Sequence, residues 1–224
     1  MQNFNIIKTH KPIKTFRVAK IEADFDLNVE EIKETFKGSI EIPEKWNIGV
    51  IVGGSGTGKT TIAKELFGDK VIDNFEYKAQ SVIDDMPNKS VDDITKMFYA
   101  VGFGSVPSWI KPYSVLSNGE KMRVDLARKL LTDDFVVFDE FTSVVDRTVA
   151  KTGCIAINKA IKKTNKQFVA ISCHYDILEW LQPDWVFNTD EMQSFFGQSH
   201  ENKNDTRLKS ALVANGQSLK DIII

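Results

Sequence analysis

Gly53-Gly54-Ser55-Gly56-Thr57-Gly58-Lys59-Thr60 carries the residues best suited to holding a chain of phosphates. The stretch matches G-x-x-x-x-G-K-[ST]. It follows the apolar run Ile48–Val52 and precedes a helical pattern over 61–67, the strand-then-helix setting that pattern needs. Glycines let the backbone curl so that successive N–H groups point inward at an anion, and the following helix adds its positive dipole end. Lys59 is expected to reach the β- and γ-phosphates, the Thr60 hydroxyl to ligate Mg²⁺, and Thr61 to complete the cradle. A chance glycine-rich turn would not need the lysine, the hydroxyl and both flanks to be right.

Three further groups have chemistry in their types and positions. Asp139 and Glu140 end the apolar run Phe135–Phe138. Asp139 can hold Mg²⁺, an ion that takes one or two carboxylates together with phosphate oxygens. Glu140, one residue on, can polarise an attacking water. His174 closes a second apolar run, 167–173, and a histidine at the end of a buried strand sits where α/β sheets bind ligands. Leu116-Ser117-Asn118-Gly119-Glu120 stands directly before a helical pattern and exposes a hydroxyl and amides at a helix start, a second anion cradle. The plainer reading of that segment is a surface turn capping a helix, since Ser and Asn are ordinary cap residues.

These groups need elements to position them. The continuous apolar runs read as strands buried on both faces, and 120–131 and 148–163 have a period near 3.6. Alternating strands and helices predict a mostly parallel α/β sheet with its chemistry at the strand C-termini. Before the glycine loop, 16–21 and 39–42 alternate as strands with one wet face, and Asn28 can cap a helical turn over 29–33. Gly68 supplies a helix stop, 71–72 and 81–83 are short strand candidates, and Ser90 caps a helix over 91–99. From Gly197 the chain turns polar, and a short helix and an apolar end are expected after it.

Bulk properties narrow the class. At 224 residues and 42% hydrophobic composition the chain can bury a sizeable core as one large domain. With 29 Lys+Arg against 31 Asp+Glu, overall charge makes no case for nucleic acid or an anionic membrane, although a local basic patch is compatible with the total. Cys154 and Cys173 lack metal-type spacing and read as buried free thiols, which fits a reducing compartment. The first residues lack the basic start and apolar core of a secretory signal, and no apolar run approaches the ~18 residues of a membrane span. The expectation is a soluble, cytoplasmic protein.

Taken in order, the glycine loop, Leu116-Ser117-Asn118-Gly119-Glu120, Phe138-Asp139-Glu140, Ser143-Val144-Val145-Asp146 and His174 resemble the Walker A, signature, Walker B, D-loop and switch histidine of the ATP-binding-cassette (ABC) ATPases. The resemblance spans roughly 20–190. It implies a P-loop NTPase of ABC type, with a mostly parallel sheet flanked by helices, an N-terminal antiparallel β subdomain and a small helical subdomain. It divides the chain into an ATPase domain over 1–196, with the helical subdomain at about 85–130, and a polar tail over 197–224. It implies Glu140, His174 and Lys59 as catalytic groups, Mg²⁺ as cofactor held by Thr60 and Asp139, and ATP as substrate. It also implies that Ser117, Asn118, Gly119 and Glu120 grip the γ-phosphate of ATP on a second copy.

Departures from the family pattern leave some positions open. Asn118 stands where glycine is commonest and Glu120 where glutamine often is; Asn tolerates a left-handed backbone best among non-glycine residues. For the glutamine that should follow a strand between the loop and the signature, Asp84 is the counterpart by position, with Gln80 the alternative. An acidic residue there is a further metal-ligand candidate. The adenine-stacking aromatic is Phe25 by distance, with Phe36 second; a place in the core is the plainer reading of either. The wording of 102–113, 140–147 and 173–185 is similar to a soluble subgroup of cassette ATPases often fused to a predicted GNAT-type acetyltransferase. No length remains for that domain here, so an acetyltransferase is expected to be a separate chain or absent.

The leading expectation is therefore Mg²⁺-dependent ATP binding and hydrolysis by a head-to-tail homodimer that drives a partner process. A nucleotide-gated binding module, transporter- or nucleic-acid-associated, in which hydrolysis only resets the state, is the alternative. A P-loop small-molecule kinase would leave Ser117-Asn118-Gly119 and His174 without a role.

Overall fold

The computed structural model describes residues 1–27, 31–72 and 75–197. A five-stranded sheet is built around β3 (Ile48–Val52), whose five residues are all buried. Its order is β4 (Phe135–Phe138), β5 (Gln167–Ser172), β3, β6 (Trp185–Asn188), β7 (Gln193–Phe196). β3 runs parallel to β5 and β6, β4 runs parallel to β5, and only the edge strand β7 is antiparallel. The mostly parallel sheet agrees with the sequence expectation. Four chain segments consequently leave the sheet at one carboxyl edge: the glycine loop after β3, Asp139 after β4, Cys173-His174 after β5 and Thr189-Asp190 after β6.

Period-2 side-chain alternation divides the core between the two faces. Val50, Val52, Val136, Phe168, Ala170 and Val186 face one side. There they meet Ile94 and Phe98 of α3 (Val91–Ala100), Leu126 and Leu130 of α5 (Asn118–Thr132), and Ile157 and Ile161 of α6 (Arg147–Ile161). Ile51, Val137, Val169, Ile171, Trp185 and Phe187 face the other side and meet Ile62 and Ala63 of α2 (Lys59–Phe67). β3 tolerates only glycine at its second position: a Cβ on Gly49 would lie 2.1 Å from the Trp185 indole. A helical layer thus covers one face of the sheet.

On the other face a separate antiparallel hairpin, β1 (Gln2–His10) with β2 (Ile32–Ile40), packs Phe4 and Ile40 against that second core. Between its strands lies α1 (Phe16–Asp24), which buries none of its residues. Here the structure departs from the expected strand over 16–21. A six-residue alternation does not distinguish the two periods, and local chemistry favours the helix. Thr15 caps it by accepting the Val18 N–H at 3.3 Å, Ala19, Lys20 and Glu22 are good helix formers, and Lys14 pairs with Glu22 at 3.1 Å. Ile32 and Lys33, expected in a helical turn, open β2 instead, paired with His10 and Thr9; Asn28 and the start of that turn lie outside the described residues. β2 ends at Ile40, so Glu41 and Ile42 of the expected strand over 39–42 fall beyond it.

Between α2 and α3, Val71 makes a single bridge to Val137. The expected strand over 81–83 is a run of turns. Asp84, Asp85 and Met86 donate in succession to the carbonyls of Ser81, Val82 and Ile83, while Asp85 accepts the N–H groups of Lys78 and Ala79 at 3.0 Å. Asp side chains that bond nearby backbone compete with strand pairing in this way. Ser90 caps α3 and Gly68 ends α2 as expected. A short α4 (Val106–Trp109) follows α3, and α7 (Ile177–Leu181) follows β5. Cys154 is buried, and desolvation pushes its thiol up to about 12. Cys173 is exposed rather than buried because β5 ends at Ser172, one residue before it. The polar segment beyond Gly197, with its expected short helix, lies outside the described residues.

Candidate functional site

The glycine loop forms because its backbone takes a shape few side chains permit. Gly56 and Gly58 have φ of 82° and 87°, and Gly58 caps α2 in the left-handed region. Ser55, Gly56, Gly58, Lys59, Thr60 and Thr61 line a cleft of about 380 Å³. Gly53, Gly54 and Thr57 instead brace the loop from behind. Thr57 Oγ1 donates to the Gly54 carbonyl at 2.9 Å and lies 2.6 Å from Thr189 Oγ1, and the Gly54 N–H donates to both Asp190 oxygens at 3.0 and 3.1 Å. The Tyr175 hydroxyl also donates to Asp190, at 2.7 Å, so the segment after β5 is tied to the loop. Lys59 folds over its own loop and donates to the carbonyls of Gly53 and Gly54 at 2.9 and 2.5 Å.

Asp139, Glu140 and Ser143 enter the same cleft from the end of β4, and Ser172 and Cys173 enter it from β5. Glu140 sits at φ 51° and Thr142 at 66°, unusual for residues with a Cβ and more so for a β-branched one. The turn is pinned on all sides. Asp139 Oδ1 accepts the Glu140 N–H at 2.8 Å, the Glu140 carbonyl accepts Ser143 Oγ at 2.7 Å, and Phe141 donates to the Ile171 carbonyl at 2.8 Å. Strain held in place by its surroundings concentrates where a side chain must be aimed. The Glu140 carboxylate is exposed to the cleft.

His174 follows Cys173 and is half-buried; it is not part of the cleft wall. Its imidazole is held below the ordinary histidine range, first by desolvation and then by the charge of Arg147, with Asp176 opposing. Arg147, directly after the Asp146 that caps α6, makes a two-pronged ion pair with Asp176 and reaches the Thr142 carbonyl at 3.5 Å. One guanidinium therefore ties the strained turn after β4 to the segment that carries His174.

The signature-like segment is a helix start. Ser117 caps α5 in a reciprocal box: Glu120 N–H donates to Ser117 Oγ at 3.4 Å, and the Ser117 N–H and hydroxyl donate to the Glu120 carboxylate at 2.9 and 2.8 Å. Burial raises the Glu120 carboxyl, but hydrogen bonds from Ser108 and Ser117 and the charge of Lys111 outweigh it and bring it below the usual range. A Cβ on Gly119 would come within 3.0 Å of Val149 on α6, so a glycine lets the two helix starts approach. Arg123 seals that junction, donating to the carbonyls of Gly119 and Val149 at 3.3 Å. Ser117, Asn118, Gly119 and Glu120 do not line the cleft of their own chain.

Of the remaining expected positions, Phe25 ends α1 with 68% of its surface exposed, and it is not on the cleft wall. Phe36 is on that wall, and its ring lies 2.4 Å from where a Cβ on Gly58 would stand. Asp84 is exposed in its turn and takes a hydrogen bond from Ser81; neither it nor Gln80 borders the cleft. Two cleft residues escaped the sequence reading. Lys8 and Glu34 face each other across the β1–β2 ladder, and Lys8 Nζ donates to Thr61 Oγ1 at 2.5 Å. Their signal was a pairing across the α1 insertion, which local patterning does not carry.

Chemically the cleft offers what a magnesium-bound polyphosphate requires. The loop backbone and Lys59 suit phosphate oxygens, while the Thr60 hydroxyl and the Asp139 carboxylate suit an ion that keeps its remaining sites for phosphate and water. Glu140 adds an exposed carboxylate to the cleft wall. A second node lies behind the cleft: Tyr77 and Tyr113 stack at 3.8 Å and both donate to Asp125, at 2.7 and 2.8 Å. It fastens the segments before Asp84 and before Ser117 to α5.

No protein-family model matches the sequence, and no curated protein does. Solved structures share the fold. A dimeric cassette bound to ADP and Pi, described as a post-hydrolysis state, is similar over 89% of this chain and 99% of its own, with a TM-score of 0.62 and 13% identity. The dimeric structure of a bacterial ABC transporter cassette is similar over 69% and 87%, with 0.54 and 14%. A bacterial Atm1-family ABC exporter with ATP bound is similar over 79% of this chain but 36% of its own, with 0.52 and 17%. The fold is that of an ABC-type P-loop cassette, and no described helix is long and apolar enough to cross a membrane.

Proposed function

We propose that the chain binds Mg·ATP in the cleft and hydrolyses it as a head-to-tail homodimer. The observation that carries this reading is the separation of two anion cradles. The loop, Asp139 and Glu140 share one cleft, while Ser117 and Gly119 are not on its wall. A second copy turned head to tail would bring its Ser117 cradle over the first copy's γ-phosphate and complete the site.

In that assembly the loop amides and Lys59 hold the phosphate chain, and Lys59 exchanges its two carbonyl partners for β- and γ-oxygens. Thr60 and Asp139 would hold Mg²⁺, which would supply charge neutralisation to the phosphate chain. Glu140, aimed by its strained turn, accepts the proton of the attacking water. His174, one residue beyond the cleft-lining Cys173, is assigned the sensing of the γ-phosphate; burial and Arg147 hold its imidazole below the ordinary range. Of the two candidate aromatics, Phe36 lines the cleft and Phe25 does not, which favours Phe36 for stacking on the base. Domain assignment follows from the same reading: 1–196 as the ATPase unit, with α3 to α5 as its small helical subdomain.

The partner process is a separate matter. The wording shared with the acetyltransferase-fused subgroup makes a separate acetyltransferase one candidate partner. The test of the core reading is size-exclusion chromatography with light scattering on Glu140→Gln with and without Mg·ATP. An ATP-dependent dimer with little turnover is expected. A protein that binds ATP yet stays monomeric at all concentrations would overturn the dimer mechanism.

A further inference from the structure

Helix α6 has an apolar stripe packed on the sheet and a second, mixed stripe that no other described element covers. Ala150, Gly153, Cys154, Ile157 and Ile161 are buried against the sheet. The second stripe, Thr152, Ile155, Ala156, Lys159, Ala160 and Lys163, recurs at helical spacing and, with Tyr99 and Ala100 at the end of α3, bounds an open groove of about 470 Å³. Its floor is small and apolar, and its lips are Tyr99, 57% exposed, and Ile155, 37% exposed. From Thr152 to Ala160 the helical part of the stripe is about 12 Å long at 1.5 Å per residue, just over two turns, and Lys163 extends it past the helix end.

Charge decides what would lie there. From Arg147 to Tyr175 the sequence holds Arg147, Lys151, Lys159, Lys162, Lys163 and Lys166 and no acidic residue, within a chain whose formal net charge is −2. Among the described residues neither Lys159 nor Lys163 has a carboxylate within ion-pair distance, whereas Arg147 and Lys166 are paired with Asp176 and Asp134. The acids of α3, Asp92 and Asp93, stand in its first turn, at the far end from Tyr99. A phosphate backbone would satisfy the lysines but brings no apolar surface for Ala100, Ile155, Ala156 and Ala160. A helix with a small apolar face and acidic flanks satisfies both.

We propose that the groove between α3 and α6 is a docking site for an acidic amphipathic helix of a partner protein. The groove joins α6, which begins at Asp146 beside the strained turn, to α3, which packs on α5 and its Ser117 cradle. A helix seated there touches α6, which packs on the sheet, and α3, which packs on the helix that carries the second anion cradle.

The test uses the full chain and a fluorescein-labelled helical peptide with Leu and Ala on one face and Glu on both flanks. A scrambled peptide of identical composition and a short DNA duplex serve as the other two probes, read by anisotropy. The amphipathic peptide is expected to bind at least about tenfold more tightly than the scrambled one. Lys159→Glu with Lys163→Glu should weaken it about tenfold, two contacts of ~0.7 kcal/mol each. A Lys-flanked peptide should recover binding to that double variant. Ala156→Trp, which fills the floor of the groove, should abolish binding while the thermal midpoint shows the fold is kept. Equal binding of the scrambled peptide, absence of any amphipathic-peptide binding, or no effect of the lysine reversals overturns the proposal. Tighter binding of the duplex, insensitive to Ala156→Trp, reassigns the face to nucleic acid and overturns it too.

Discussion

Glu140 allows a sharp separation of stability from chemistry. Its backbone sits at φ 51°, a region that costs an L-residue roughly 1–2 kcal/mol. Its carboxylate makes no hydrogen bond or ion pair among the described residues, so removing the side chain forfeits little. Glycine at that position relieves the strain but adds about 0.5–1 kcal/mol of unfolded-chain entropy. The balance for Glu140→Gly runs from about 0 to 1.5 kcal/mol of net stabilisation. In a domain of this size each kcal/mol moves the thermal midpoint by about 2–4 °C, so a rise of about 2 °C is expected. Glu140→Ala keeps the Cβ and the strain and should stay within about 1 °C of the parent. Both variants should lose at least about a hundredfold in phosphate release under saturating Mg·ATP, the usual contribution of a positioned base. Differential scanning fluorimetry and a phosphate-release assay read the two effects separately. If Glu140→Gly melts several degrees below Glu140→Ala, the turn is not strained as described; if it keeps turnover, Glu140 is not the base.

The cleft gives two binding predictions. Lys59→Ala should abolish nucleotide binding by calorimetry, while Lys8→Met, which removes the cation at Thr61, should weaken ATP and ADP by the same few-fold factor and leave the fold intact; unequal effects would place Lys8 at the γ-phosphate instead. Cys173 on the cleft wall should react with a maleimide while buried Cys154 does not, and Mg·ATP should slow that labelling; unprotected labelling at saturating nucleotide would place the ligand elsewhere. His174 is held below its ordinary range, so the unfolded chain takes up its proton first. Its contribution to stability is complete above about pH 6.5 and is lost as pH falls through the lowered folded value. An imidazole NMR titration should find that lowered midpoint, and Arg147→Met should raise it. Asp125→Ala strands two tyrosine hydroxyls and should cost about 3 kcal/mol in a denaturant melt; a change under about 1 kcal/mol would show that the Tyr77–Tyr113 stack holds without it.

What the sequence made legible was what local chemistry controls. The buried runs at β3, β4 and β5, the Ser90 and Ser117 caps and the glycine loop each follow from a few neighbouring residues, and the structure places the loop, Asp139 and Glu140 at one sheet edge. Errors cluster where the outcome depends on distant pairing or on competing local bonds. The stretch over 16–21 alternates, yet Thr15 and its helix-forming neighbours make it helical. The stretch over 81–83 is β-rich in composition, yet Asp84 and Asp85 bond the nearby backbone and turn it. Lys8 and Glu34 meet the cleft only because β1 pairs with β2 across α1, and Phe36 reaches Gly58 for the same reason. Cys173 was expected to be buried because it follows an apolar run; the strand's last residue, Ser172, sets the boundary instead.

The same geometry bears on how events at the cleft reach the rest of the molecule. Loss of a γ-phosphate would be sensed first by groups at the ends of β4 and β5, and those two ends are joined by Arg147, which binds Asp176 beside His174 and the carbonyl of Thr142. Arg147 is also the first residue of α6, so a shift of the turn after β4 has a rigid fifteen-residue helix to act on. Arg123 carries the connection onward, bonding Val149 of α6 and Gly119 of α5 together. Beyond the turn after β4, two arginines and one helix join the cleft to the signature-like cradle. Arg123→Met would leave the cleft untouched and cut that route, so it should spare nucleotide binding while weakening the ATP-dependent dimer of the Glu140→Gln protein. Binding lost along with the dimer would show instead that Arg123 merely supports the fold.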